Sequence, residues 1–172
     1  WSFNEATSTQ ATDFSGNGNH GTLNTFTSPP SASSGWTSNG QRGGALYFDG
    51  ATDDVTVGDM NNATDGIKNM TISFWIKADT LSDYQNLVTK FNGTNGWVVQ
   101  TGGASSCGNT NDMAFFPDVQ ASGDCVHTNN DAHQVGVWEH WVMTFDGFIV
   151  DDQDSVDFYK NGIEITNEDQ SA

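Results

Sequence analysis

Basic residues are nearly missing from this sequence. Lys and Arg number 5 against 22 Asp and Glu, a formal net charge of −17. A surface so negative repels a phosphate backbone, which excludes nucleic-acid binding. Leu and Lys are few, so helices lack their usual formers, while Thr, Asn, Ser and Gly abound. No apolar run approaches the roughly 18 residues of a membrane span, and no basic-then-apolar leader is seen. A chain that starts at Trp1 is expected to be a processed protein or a piece of a longer one. Cysteine is limited to Cys107 and Cys125, too few for a disulfide-dense mini-scaffold, and the 172 residues suffice to bury a two-layer core without one.

What is there is bulky apolar material spaced with a period of two. Between Met70 and Lys77, the side chains of Met70, Ile72, Phe74 and Ile76 share one face; Thr71, Ser73, Trp75 and Lys77 share the other. Further strands are expected at Ala45–Phe48, Asp54–Val57, Asn86–Lys90, Trp97–Gln100, Ala114–Phe116, Trp138–Phe145, Val156–Lys160 and Ile163–Thr166. Asn161-Gly162 between two of these is a hairpin signal, because a two-residue turn of the right twist needs positive φ at both central positions. So many short strands without a 3.6-residue period imply an all-β protein, a sandwich or barrel of antiparallel strands. Thr27–Gly44 and Gly102–Gln134 are expected as loops, the second an insertion closed by a Cys107–Cys125 disulfide. No linker or internal repeat interrupts residues 1–172, which predicts one domain.

Several segments carry a resemblance. Trp1-Ser2-Phe3-Asn4-Glu5 with Asp13-Phe14-Ser15-Gly16-Asn17-Gly18-Asn19-His20-Gly21 opens the chain, and Gly43-Gly44-Ala45-Leu46-Tyr47-Phe48-Asp49-Gly50 with Asp53-Asp54-Val55-Thr56-Val57 follows. Then come Met70 to Lys77, Trp138-Glu139-His140-Trp141-Val142-Met143-Thr144-Phe145-Asp146-Gly147, and Phe158-Tyr159-Lys160-Asn161-Gly162. In this order they resemble the LamG-like (laminin G, concanavalin A-like) jelly-roll family. The resemblance implies a two-sheet antiparallel jelly roll. It also implies a last strand of the type Gly-x-Ile-Asp-Glu-Val-x-Ile-Tyr, which has no counterpart before Ala172. The expectation is either a fragment or a fold finished by a strand donated from a neighbouring subunit.

Asp13, Ser15, Asn17 and Asn19 space oxygen atoms through a glycine-rich turn, as hard Ca2+ requires, and the resemblance adds a structural calcium site at this loop. An Asx-capped turn without an ion is the other reading. Asp49, Asp53 and Asp54, and the run Asp151, Asp152, Asp154 and Asp157, read as solvated carboxylates. His20, His127, His133 and His140 match no zinc spacing. Exposed aromatics that stack on sugars are expected at Trp36, Tyr84 and Trp97, beside core packing as the alternative. Asn62, Asn69 and Asn92 begin glycosylation sequons, which with the disulfide point to an extracellular glycoprotein.

The acid-and-nucleophile strand of the laminarinase-type glycosidases, Glu-x-Asp-x-x-Glu, is lacking; Glu5, Glu139, Glu164 and Glu168 are scattered. The sequence therefore predicts a non-catalytic extracellular adhesion or carbohydrate-binding module of a cell-surface, filament or virion protein. Its partners would be glycans or cell-surface proteins. A structural subunit or decoration domain that contacts its own copies is the alternative. An Asp-rich, Lys-poor surface is also what a halophilic or marine source would select, since screening at high salt relieves its self-repulsion.

Overall fold

The computed structural model describes residues 1–27, 35–58, 60, 69–91, 96–102, 107–117, 125–129, 132–147 and 155–170. It divides into two compact units, Trp1–Thr64 and Asp65–Ala172.

In the first unit β1 (Gln10–Ala11), β2 (Gly21–Asn24) and β5 (Asp54–Val57) form an antiparallel sheet in the order β1-β2-β5. Gly21 is fixed by packing: a Cβ there would lie 2.5 Å from Val55 Cγ1. β3 (Gly35–Gly40) and β4 (Gly43–Tyr47) make a separate hairpin with a register shift between Thr37 and Gly40.

The second unit holds two antiparallel sheets. One runs β14-β10-β9-β8-β7, from β7 (Asn86–Phe91), β8 (Gly96–Thr101), β9 (Met113–Phe116), β10 (Cys125–Thr128) and β14 (Asn167–Gln170). The other runs β13-β12-β11-β6, from β6 (Asn69–Ile76), β11 (Glu139–Asp146), β12 (Val156–Lys160) and β13 (Ile163–Ile165). Val99, Met113, Phe115 and Val126 of the first sheet meet Trp141, Met143, Val156 and Phe158 of the second in one buried cluster. This is the all-β antiparallel sandwich expected from the sequence, with its core between two sheets.

The alternation at Met70–Lys77 becomes β6, whose Met70, Ile72, Phe74 and Ile76 pack on the cluster. Asn161 (φ 53°) and Gly162 (φ 81°) make the expected turn between β12 and β13. The two expected loops are not strand-free. Thr27–Gly44 contains β3, and Gly102–Gln134 contains β10 besides the expected β9. All four residues of β10 are buried. A strand covered on both faces shows no alternation, which is why its sequence, Cys-Val-His-Thr, gave no period-two signal.

The Cys107–Cys125 disulfide forms, with the Cα atoms 6.2 Å apart. It covers the outer face of the five-stranded sheet, packing with Ala114 and half-buried Phe116. Beneath it, His127 Nδ1 donates to Thr128 O at 2.9 Å and lies 3.8 Å from Asp112 Oδ2. Gly108 sits against both, 2.8 Å from each as measured from an ideal Cβ position.

Candidate functional site

The outer face of the four-stranded sheet is open. With the inward positions of β6, β11 and β12 committed to the core, alternation turns Thr71, Ser73, Trp75, His140, Val142, Thr144, Asp157 and Tyr159 outward. Thr71, Ser73 and Asp157 are exposed, and the others are half-buried.

Register places these side chains in cross-strand rows. Trp75 lies opposite His140, their rings 5.1 Å apart between centroids and inclined by 30°. Ser73 Oγ is 2.9 Å from His140 Nε2, so hydroxyl and imidazole share a hydrogen bond. The next row runs Ser73, Val142, Tyr159 and Glu164, and the one after it Thr71, Thr144 and Asp157. There Thr144 Oγ1 donates to Asp157 Oδ2 at 3.1 Å. The hairpin anchors the aromatic end: His140 N donates to Asn161 Oδ1 at 3.0 Å, and Asn161 N to His140 O at 2.8 Å. The face is electronegative. The charge of Asp157, then burial, then the charge of Glu164 raise the Tyr159 phenol above its ordinary value. Tyr159 therefore stays a neutral hydroxyl donor at physiological pH.

Behind the face lies a buried polar knot. Glu139 is 1% exposed; its Oε1 pairs with Lys160 Nζ at 2.6 Å, and its Oε2 accepts from the Trp141 indole N–H at 3.2 Å and bonds His133 Nδ1. Lys160 also donates to Ala132 O, and its Nζ stands 5.8 Å from the Trp141 ring centroid. Burial alone would raise the Glu139 carboxyl. The hydrogen bonds of Lys160 and His133, the charge of His133 and the Trp141 N–H outweigh it and hold the carboxyl below the usual carboxylate range. A carboxylate sealed under the sheet and already paired braces the start of β11 and cannot meet a substrate.

The three residues expected to bind ligand differ in exposure. Trp36 is buried, and its indole N–H donates to Ser8 O at 2.5 Å. Trp97 is half-buried and packs on the core, its ring centroid 6.5 Å from that of Phe115. Tyr84 is exposed, with φ 62°. The aromatic residues of the open face are instead Trp75, His140 and Tyr159, of which the alternation in β6 already puts Trp75 on the side away from the core.

At the glycine-rich turn where calcium was expected, Asp13 Oδ1 accepts from Ser15 N at 2.8 Å and Oδ2 from Asn19 N at 2.9 Å. Ser15 Oγ accepts from Asn17 N at 3.3 Å and Nδ2 at 3.1 Å. The Ser15 hydrogen bonds, then that of Asn19, lower the Asp13 carboxyl to about 2, against the small opposing effect of burial. Each carboxylate oxygen keeps a second lone pair, and Gly16 and Gly18 sit at φ 89° and 75°. A cation therefore fits as one held by a single carboxylate plus amide and carbonyl oxygens; among the described residues no three His, Cys, Asp or Glu side chains group as a metal set. Of the sequons, Asn69 is exposed at the start of β6, whereas Asn62 and Asn92 lie outside the described residues.

Two packed antiparallel sheets, one with an open aromatic and hydroxyl face, define a β-sandwich of the lectin-like class. The sequence model of the concanavalin A-like lectin/glucanases superfamily matches residues 49–171, and the chain belongs to that family. Its LamG-like domains are in general non-catalytic binding modules. No curated protein and no solved structure matches the chain.

Proposed function

We propose that this is an extracellular carbohydrate-binding module of an adhesive surface protein, and that the open face of the four-stranded sheet receives the sugar. The Trp75–His140 pair carries this reading. It offers a flat apolar surface to the C–H face of a pyranose, while Ser73, Tyr159 and Asn161 stand within one or two residues along the register to bond hydroxyls. Asp157 and Glu164 on the same face disfavour sulfated or sialylated ligands and favour neutral sugars. The disulfide supports an oxidising, extracellular setting, and no helix among the described residues is long and apolar enough to cross a membrane.

A panel of immobilised neutral and acidic glycans tests the site. Trp75→Ala should weaken binding to the neutral ligand at least about tenfold, roughly 1.4 kcal/mol, with little change in melting temperature because the ring is only half-buried. Unchanged binding by this variant would remove the sheet face from consideration. A chain that binds no glycan but associates with itself reversibly would favour the structural-subunit reading instead.

Calcium belongs to the same proposal as a structural ion of the first unit, with Asp13, Asn17 and Asn19 as its side-chain oxygens. An ion that binds only the folded state raises its stability by mass action. The melting temperature should therefore rise with calcium over chelator in the wild type and not in Asp13→Ala. Equal curves for the wild type would leave the loop a hydrogen-bonded turn.

A further inference from the structure

A cleft of about 300 Å3 opens at the end of the same sheet, away from Trp75. Its lining includes Asn69, Thr71, Thr144, Asp146, Ser155 and Asp157. Two of these, Asn69 and Thr71, are the first and third residues of the sequon Asn69-Met70-Thr71. They stand two apart on an extended strand, so their side chains leave the same face, and both are exposed. The intervening Met70 turns inward to the core, which pins the register of the pair. Among the described residues β6 is the outermost strand of its sheet, bonded on one side to β11, and Asn69 is exposed at its start. The acceptor amide is therefore accessible, and beside it lies a recess lined by hydroxyls and carboxylates together with the apolar Met70 and Phe145.

We propose that Asn69 is an N-glycosylation site whose first sugar is seated in this cleft. The transfer takes place on the unfolded or folding chain, with a lipid-linked oligosaccharide as donor. The Asn69 amide nitrogen forms a bond to C1 of the first sugar, and the C1–O bond to the carrier pyrophosphate breaks. The lipid pyrophosphate departs with the bonding electrons, and the amide gives one proton to a base of the transferring enzyme. Once the strand has folded, sugar hydroxyls meet Thr144 and Asp157 across the rows of the sheet, and the N-acetyl group of an N-acetylhexosamine finds Thr71 beside it. The glycan then covers the acidic end of the face and leaves the Trp75–His140 end open: six residues along β6 separate Asn69 from Trp75, about 20 Å at the strand rise.

The proposal rests on the extracellular reading, so the test imposes the route. The chain is secreted from a cell line with N-glycosylation machinery, and its peptides are mapped by mass spectrometry. The Asn69 peptide should carry an N-acetylhexosamine core that Asn69→Gln and Thr71→Ala both abolish and Thr71→Ser retains. After the glycan is trimmed to its first sugar, hydrogen exchange at Thr144 and Asp157 should be severalfold slower than in Asn69→Gln. A secreted, folded chain with an unmodified Asn69 overturns the site. A modified Asn69 without added protection overturns the seat. Neither result depends on where the natural chain resides or on whether Trp75 binds a sugar.

Discussion

Lys160→Met is expected to destabilise the second unit by about 3 kcal/mol, because it strips the nearest cation from a carboxylate that has no access to water. Glu139 would keep the Trp141 indole N–H and His133, and these hold the loss near the lower end of the range for a broken buried pair. The double variant Glu139→Gln/Lys160→Met should recover much of it, since a neutral amide needs no counter-ion. Urea unfolding of the four species of this cycle measures the coupling. pH provides an independent check. The folded carboxyl titrates below its ordinary value, so its contribution is present above the unfolded value of about 4.3 and is lost as pH falls through the folded one. The gap between wild type and Lys160→Met should be widest near neutrality and narrow below about pH 4. A pH-independent gap would mean that Lys160 acts through packing on Trp141 alone.

Removing the disulfide is the second large effect. The bridge joins residues 18 apart, and closing such a loop in the unfolded chain is worth about 3 kcal/mol on the chain-entropy model. Cys107→Ala/Cys125→Ala should therefore lower the melting temperature by roughly 10 °C for a unit of this size. The loss falls short of the loop entropy if the segment over Ala114 lifts and lets water reach His127, because its Nε2, buried without a hydrogen-bond partner, then gains one. Comparison with Gly108→Ala separates the two contributions. That change leaves the bridge intact, but strains a φ of 71° and presses a methyl group on Asp112 and His127. Should the double alanine variant melt with the wild type, the bridge adds nothing to the fold.

The sandwich was legible wherever one face of a strand meets the core and the other meets solvent. β6, β11 and β12 alternate cleanly, and the Asn161-Gly162 turn between β12 and β13 follows from its two residue types. Burial on both faces hid β10. β14, Asn-Glu-Asp-Gln, was hidden because nothing in its composition favours a strand; it is held by backbone pairing to Cys125–Thr128. The candidate site was half legible. Trp36, Tyr84 and Trp97 stand near loop-like segments of the sequence, where an exposed ring is expected. Yet Trp36 and Trp97 turned inward, because a loop in the sequence does not fix which side of it is wet. The pairing of Trp75 with His140 depends on the register between strands far apart in the chain, and no local pattern contains it.

That register bears on how the chain reaches its native state. Ser73 and His140 touch across 67 residues of sequence, and the whole β6–β11 ladder shares this long span. The β11–β12–β13 meander, by contrast, closes through a two-residue turn and one longer connection. Loop-closure entropy makes the distant pairing the slow event, so the meander should form early and the docking of β6 late, on the millisecond-to-second scale of sandwiches rich in non-local contacts. The Trp75–His140 pair of the open sheet face is then assembled in the final step of folding. Until that step the chain exposes the apolar side of β6, eight residues with alternating bulky groups, which makes a nascent copy with β6 undocked the species most at risk of pairing with another.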